Sequence, residues 1–88
     1  MTEYLVEIRV SPRPGLLNPE GKAIHHALNS LGFGGVQDCR VGKSIEVRLN
    51  ASSEADARQA AEDMSRRLLA NPVTEDFEVE RIAVAEPV

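Results

Sequence analysis

The sequence predicts an α+β fold in which two helices cover one face of a four-stranded antiparallel sheet, in the order βαββαβ. Segments in which apolar and polar residues alternate mark the strands, and segments with apolar residues at helical spacing mark the helices. The chain has 88 residues, which is enough for one domain and not for two. We predict a single domain over residues 1–82 and a C-terminal tail over residues 83–88.

The first half of the pattern is a strand followed by a helix. The strand alternates with period two, and its inward-facing residues are predicted to be Tyr4, Val6, Ile8 and Val10. Asn18 is a good helix cap and Pro19 suits the first helical position, so the helix is predicted to begin there. Its apolar stripe consists of Ile24, Ala27, Leu28 and Leu31. Gly32 suits the left-handed conformation that commonly ends a helix.

The second half of the pattern is predicted to be a hairpin of two strands, then a helix and a last strand. Residues 36–41 and 44–49 are predicted to be two short strands joined at Gly42-Lys43, a two-residue connection that suits a type II′ turn. The second helix is predicted to start at Ser53 and to end at Asn71-Pro72. Its predicted apolar stripe is Ala57, Ala60, Ala61, Met64 and Leu68. A last strand around Phe77 and Val79 completes the ferredoxin-like order of elements.

Composition argues against several classes of protein. The net charge is −4, and the aromatic residues are one Tyr and two Phe, which is a poor composition for binding nucleic acid. No segment resembles a signal peptide or a membrane span, so we expect a cytoplasmic protein that does not contact membranes. The core is thin because it consists mostly of Ala, Val, Leu and Ile. Self-association is a common way to add buried surface, so we expect a homo-oligomer.

The chemically active residue types do not form a catalytic site. Cys39 is the only cysteine, and it is interpreted as a core residue rather than a nucleophile. His25 and His26 are adjacent on a helix, where neighbours point about 100° apart, so they are poorly placed to bind one metal ion. Gly42-Lys43-Ser44 lacks the upstream glycine of a phosphate-binding loop. We therefore predict no catalytic, cofactor-binding or metal-binding residue on this chain.

Four segments resemble the small-subunit (PurS) family of phosphoribosylformylglycinamidine synthase. They occur in family order, and they are residues 17–23 (LNPEGKA), residues 27–33 with Ala-Leu and Leu-Gly-Phe at the ends, residues 40–46 (RVGKSIE) and residues 68–75 (LLANPVTE). Asn18 replaces the Asp that the family pattern has before Pro, and Asn caps a helix as well as Asp does. The resemblance spans about residues 3–82.

The resemblance implies a ferredoxin-like fold, a dimer or tetramer, and a place in a complex of de novo purine biosynthesis. That complex uses ATP and glutamine to convert formylglycinamide ribonucleotide to formylglycinamidine ribonucleotide. It implies two partners, a glutaminase subunit and a large synthetase subunit that uses ATP and Mg. The chain would act as a non-catalytic accessory subunit that bridges its partners and assists ammonia transfer. The alternative class is a small-molecule-binding regulatory domain of the same βαββαβ order.

Residues of the matching segments are candidates for contact with the partners. They are Arg40, Gly42, Lys43, Asn71 and Pro72. Arg40 and Lys43 would form charge-assisted contacts with an acidic patch on a partner. The competing interpretation is that these residues serve only the turns that contain them, because turns require particular residues.

Overall fold

The computed structural model describes residues 1–85, which form three strands and two helices. In chain order the elements are β1 (Thr2–Pro12), α1 (Pro19–Ser30), β2 (Lys43–Ala51), α2 (Glu54–Met64) and β3 (Glu75–Val84). A π-helical turn, Ser65–Leu69, continues α2 without a break. The strands form one sheet in the order β2-β1-β3, with both pairs antiparallel.

β1 is the centre of the core, as its alternation predicts. Val6, Ile8 and Val10 are fully buried beneath α2, and polar or half-exposed residues lie between them. α2 contributes Ala57 and Ala61, whose small side chains allow the helix to lie close to the sheet. The inner face is completed by half-buried apolar residues of all three strands, namely Tyr4, Ile45, Val47, Leu49, Phe77, Val79 and Ile82.

The prediction of a four-stranded sheet is wrong, because residues 36–41 form no strand. The main chain of this return segment, as we call residues 36–41, contacts α1 instead. The carbonyl oxygen of Val36 lies 2.9 Å from His25 Nε2, and that of Val41 accepts a hydrogen bond from Asn18 Nδ2 at 3.1 Å. The chain then joins β1 directly at Lys43, opposite Val10, so the predicted hairpin at Gly42-Lys43 does not form.

The prediction that both helices cover one face of the sheet is also wrong. Among the described residues, the extensive helix–sheet contacts are all made by α2. α1 begins and ends as predicted: Asn18 Oδ1 accepts a hydrogen bond from the Gly21 amide, and Gly32 has φ +100° just beyond the helix. The helix projects with the return segment alongside it, and we call residues 19–41 the arm.

The overall shape agrees with a projecting arm. The molecule measures 51 × 32 × 15 Å, and the Cα radius of gyration is 16.6 Å. A compact domain of this length has a radius of gyration of about 12 Å. The apolar stripe of α1 is correspondingly exposed: Ile24 retains 40% of its accessible surface and Leu31 retains 73%.

The π-helical turn changes which residue of the second helix faces the core. Leu68 was predicted to be in the apolar stripe, but it is 81% exposed, and Leu69 packs against the core instead. A π turn inserts one residue into the helical repeat, which rotates every later side chain by about 100°. The turn also buries Ser65, whose Oγ donates a hydrogen bond to the carbonyl oxygen of Ala61 at 2.8 Å.

β3 extends to Val84, which lies inside the segment predicted to be a tail, and the amide of Ala85 donates to the carbonyl oxygen of Glu3. The remainder of the predicted tail, residues 86–88, lies outside the described residues. Neither helix in residues 1–85 has the length and apolarity needed to cross a bilayer.

Candidate partner-binding surfaces

Gly42 fixes the position of the segment that holds Arg40 and Lys43. A β-carbon on Gly42 would lie 2.6 Å from the carbonyl oxygen of Val10, so only glycine allows the chain to approach β1 this closely. Arg40 and Lys43 are both exposed on either side of this anchored point. The anchoring gives Gly42 a structural role, and it places the main chain between the two cationic residues against β1.

A second close approach joins α1 to the return segment. A β-carbon on Gly21 would overlap the carbonyl oxygen of Cys39 and would lie 3.0 Å from Arg40 Cα. Gly21 is the only buried residue of α1. The base of the arm is therefore held by main-chain packing, by the Asn18–Val41 hydrogen bond and by the Asn18 cap.

An open cleft of about 480 Å³ lies at the base of the arm, beside this contact. Its lining includes two cationic side chains, Lys22 and Arg40, and two exposed leucines, Leu16 and Leu17. Lys22 and the two leucines were not among the residues predicted to contact partners. The available signal was that Leu17 and Lys22 both belong to the matching segment 17–23.

The pairing of charges distinguishes this region from the rest of the surface. Ion pairs within the described residues engage Arg9, Arg13, Arg48, Arg66 and Arg81. The lysines and arginines outside these pairs are Lys22, Arg40, Lys43, Arg58 and Arg67. Three of those five lie on the base of the arm or directly after it. Two carboxylates, Glu20 and Asp38, lie in the same region, so positive charge is in slight excess there on an acidic protein.

Asn71 and Pro72 follow the π-helical turn that ends the second helix. Their polar groups form hydrogen bonds within the chain. Asn71 Oδ1 accepts from the Val73 amide at 2.9 Å, and the Asn71 amide donates to Glu75 Oε1 at 2.7 Å. The carbonyl oxygen of Pro72 accepts from Arg13 Nη2 at 2.7 Å. These contacts give both residues a role in the local fold. Their role in partner binding stays a prediction.

Cys39 and His25 line the same cleft, but no hydrogen bond joins the thiol to the imidazole among the described residues. Cys39 is half-buried on the return segment, which corrects its predicted place in a core strand. The Nε2 of His25 lies against the carbonyl oxygen of Val36, and His26 is exposed. In residues 1–85, no three His, Cys, Asp or Glu side chains are grouped in a way that would hold a metal ion.

Comparison with known proteins identifies the family. The sequence model of PurS, phosphoribosylformylglycinamidine (FGAM) synthase, matches residues 5–83. The chain belongs to the PurS family. It is 37% identical over 76 residues to the PurS subunit of phosphoribosylformylglycinamidine synthase from Methanocaldococcus jannaschii, an alignment that covers 86% of this chain and 92% of that protein.

Solved PurS structures share the fold. Thermus thermophilus PurS superposes with a TM-score of 0.86 at 32% identity, covering 96% of this chain and 99% of that one. A chain of the Thermotoga maritima PurLQS structure superposes with a TM-score of 0.82 at 27% identity, covering 97% of this chain and 100% of that one. The resemblance predicted from the sequence segments is confirmed, and so is the prediction of an accessory subunit of this purine-biosynthesis ligase.

Proposed function

We propose that this PurS chain is a non-catalytic subunit that joins a glutaminase subunit to an ATP- and Mg-using synthetase subunit in the cytoplasm, and that it assists the transfer of ammonia between them. One observation carries the proposal: α1 does not cover the sheet of its own chain. A fold that leaves the apolar stripe of a helix away from its own sheet can bury that stripe by assembly. The family assignment favours this function over a regulatory domain that binds a small molecule.

The first step of that assembly is self-association through the arm. α1 presents an apolar stripe that its own sheet does not bury, and exposed Leu31 and Phe33 extend that surface to the tip of the arm. On the sheet, the inner face of β2 is only half-buried, at Ile45, Val47 and Leu49. Two copies related by a twofold axis can each lay α1 on the other's β2, since such an interface uses the same two surfaces twice.

The second step is contact with the two enzymatic partners. Arg40 and Lys43 are the best-placed candidates, because both are exposed, rigidly supported and free of ion pairs within the described part of the chain. An acidic patch on a partner would gain charge-assisted hydrogen bonds from them, and their field would orient the encounter. Gly42 supports this surface from within, and Asn71 and Pro72 form a separate candidate contact.

The partner subunits would catalyse both reactions of the complex. Glutamine hydrolysis needs a nucleophile activated by a base, and phosphoryl transfer needs a phosphate cradle with Mg. The glutaminase would supply the first and the synthetase the second, with ATP and Mg bound there. The name PurLQS of the Thermotoga maritima neighbour supports a complex that includes PurS together with other subunits.

Assembly is tested by mixing the chain with the glutaminase and synthetase subunits of the same organism, with glutamine and nucleotide present. Size-exclusion chromatography with light scattering measures the mass of each species. We expect one species, heavier than any pair of components, that contains all three proteins. Elution of the chain apart from both partners under every nucleotide condition would contradict the proposal.

A further inference from the structure

The cleft at the base of the arm combines features that recognise a particular kind of ligand. Lys22 and Arg40 line it, and neither is among the ion pairs formed within residues 1–85. Leu16 and Leu17 line it as well, with 46% and 74% of their surfaces exposed. Asp38 also lines the cleft, but its Oδ1 accepts a hydrogen bond from the Cys39 amide at 2.9 Å. The cleft therefore offers more positive than negative charge, next to uncovered apolar surface.

Its walls are held in place by the contacts already described. Lys22 follows Gly21, and the backbone of Gly21 lies against that of Cys39 and Arg40. The two cationic residues therefore belong to main-chain segments that contact each other. His25 lines the cleft too, and its Nε2 is positioned by the carbonyl oxygen of Val36. A preformed cleft loses less conformational entropy on binding than a mobile one would.

The cleft and the exposed apolar stripe of α1 consist of different residues. The cleft lies beside the first two turns of α1, whereas the stripe runs from Ile24 toward the tip at Leu31 and Phe33. The overall charge of the chain is −4, which disfavours a polyanion such as nucleic acid. A folded partner with one short acidic segment would contact only the cations of the cleft, so the net negative charge of the chain would oppose its binding less.

We propose that the cleft is the docking site for a segment of a different synthase subunit that carries carboxylates and an apolar side chain. The carboxylates pair with Lys22 and Arg40, and the apolar side chain covers Leu16 and Leu17. This inference rests on the proposed joining function and adds to it the chemistry of the partner's segment.

The test measures binding of the assembled chain to the purified glutaminase and to the purified synthetase by biolayer interferometry. The variant is Lys22→Ala with Arg40→Ala. The matched control is Arg58→Ala with Arg67→Ala, which removes the same charge from an arginine of α2 and one of the π-helical turn. Both are exposed, and neither forms an ion pair within residues 1–85. Two exposed ion pairs are worth about a tenfold change in Kd, so we expect about that loss of affinity for one partner in the variant and less than about a twofold change in the control.

Salt dependence and apolar contact provide further readouts. The affinity of the parent should fall more steeply with salt than that of the variant, because the variant has lost the screened pairs. Leu17→Ser should weaken binding to the same partner with the salt dependence unchanged. Equal affinity of the parent and the charge variant for both partners would overturn the inference, while complex formation itself would still support the joining function.

Two other outcomes would also overturn it. If the charge variant loses self-association, measured by sedimentation, the cleft is occupied by a second copy. If inorganic phosphate binds the parent saturably in calorimetry and does not bind the variant, the cleft is a site for a small anion. Failure of the parent to bind either partner would instead contradict the joining function itself.

Discussion

Gly42 lies so close to β1 that a β-carbon on it would be 2.6 Å from the carbonyl oxygen of Val10. At this contact the chain enters β2, alongside β1. The return segment before it lies against α1 and is not part of the sheet. Gly21 makes the equivalent contact at the base of the arm, against the main chain of Cys39 and Arg40. The two glycines therefore determine where the arm leaves the body of the protein.

The first prediction concerns the stability provided by these glycines. Gly21→Ala and Gly42→Ala should each lower the free energy of unfolding by about 1–3 kcal/mol, because the added methyl group must displace main-chain atoms. Gly34→Ala is the matched control, since a β-carbon there meets no atom within 4 Å and its φ is not positive. Urea unfolding at one fixed protein concentration measures all three. Equal midpoints for the three variants would contradict the close approach.

The second prediction concerns self-association. Ile24→Ser with Leu31→Ser should weaken it by about a hundredfold or more, because each large aliphatic side chain contributes about 1.5–3 kcal/mol when buried. Helical content should persist, since Ser and Ile have similar helix propensities. Sedimentation equilibrium gives the association constant, and Leu68→Ser, at an exposed leucine outside the arm, is the control. An unchanged association constant in the arm variant would show that α1 is not the interface.

The third prediction concerns the cations beside Gly42. Arg40→Ala with Lys43→Ala should leave the melting temperature nearly unchanged, because neither side chain forms an ion pair in the described part of the chain. Assembly with the partners and glutamine-dependent synthesis should both decrease, whereas synthesis by the synthetase alone from added ammonium should not. If the double variant assembles and supports synthesis as the parent does, the two side chains are not partner contacts.

The fourth prediction concerns catalysis by the chain itself. The pure chain should release no glutamate from glutamine and should hydrolyse no ATP. Cys39 shares a cleft with His25, but the His25 Nε2 lies against the carbonyl oxygen of Val36, and no base is hydrogen-bonded to the thiol in the described part of the chain. Cys39→Ala should support synthesis in the complete complex as well as the parent does, apart from a small effect of the altered packing. Glutamate release that survives further purification of the chain and disappears in the Cys39 variant would contradict this account.

Much of the fold follows from local signals in the sequence. The alternation of β1, the Asn18 and Ser53 caps and the left-handed Gly32 are each determined by residues close in the chain, and each is confirmed. Ser53 Oγ, for example, accepts a hydrogen bond from the Asp56 amide at 3.1 Å. Such contacts form wherever the local conformation is right, so patterns of a few residues predict them.

The errors arose where contacts distant in sequence outweigh the local pattern. Residues 36–41 alternate weakly, and nothing in that alternation indicates that Gly21 and Asn18 bind their main chain. The π turn likewise cannot be read from helical spacing, and that spacing alone predicts Leu68 in the apolar stripe. The apolar stripe of α1 is predicted correctly, but periodicity does not show whether that stripe packs against the sheet of its own chain. For the site, Arg40 and Lys43 could be selected from one matching segment. Leu17 and Lys22 belong to another, but only the cleft distinguishes them from the other residues of that segment.

The central claim is that this chain joins two enzymes and catalyses nothing itself. The most direct measurement compares synthesis by the glutaminase and the synthetase with and without the chain, using glutamine or ammonium as the nitrogen donor. We predict that removing the chain abolishes most glutamine-dependent synthesis and leaves ammonium-dependent synthesis intact. Full glutamine-dependent synthesis without the chain, or an equal loss with both donors, would contradict the claim.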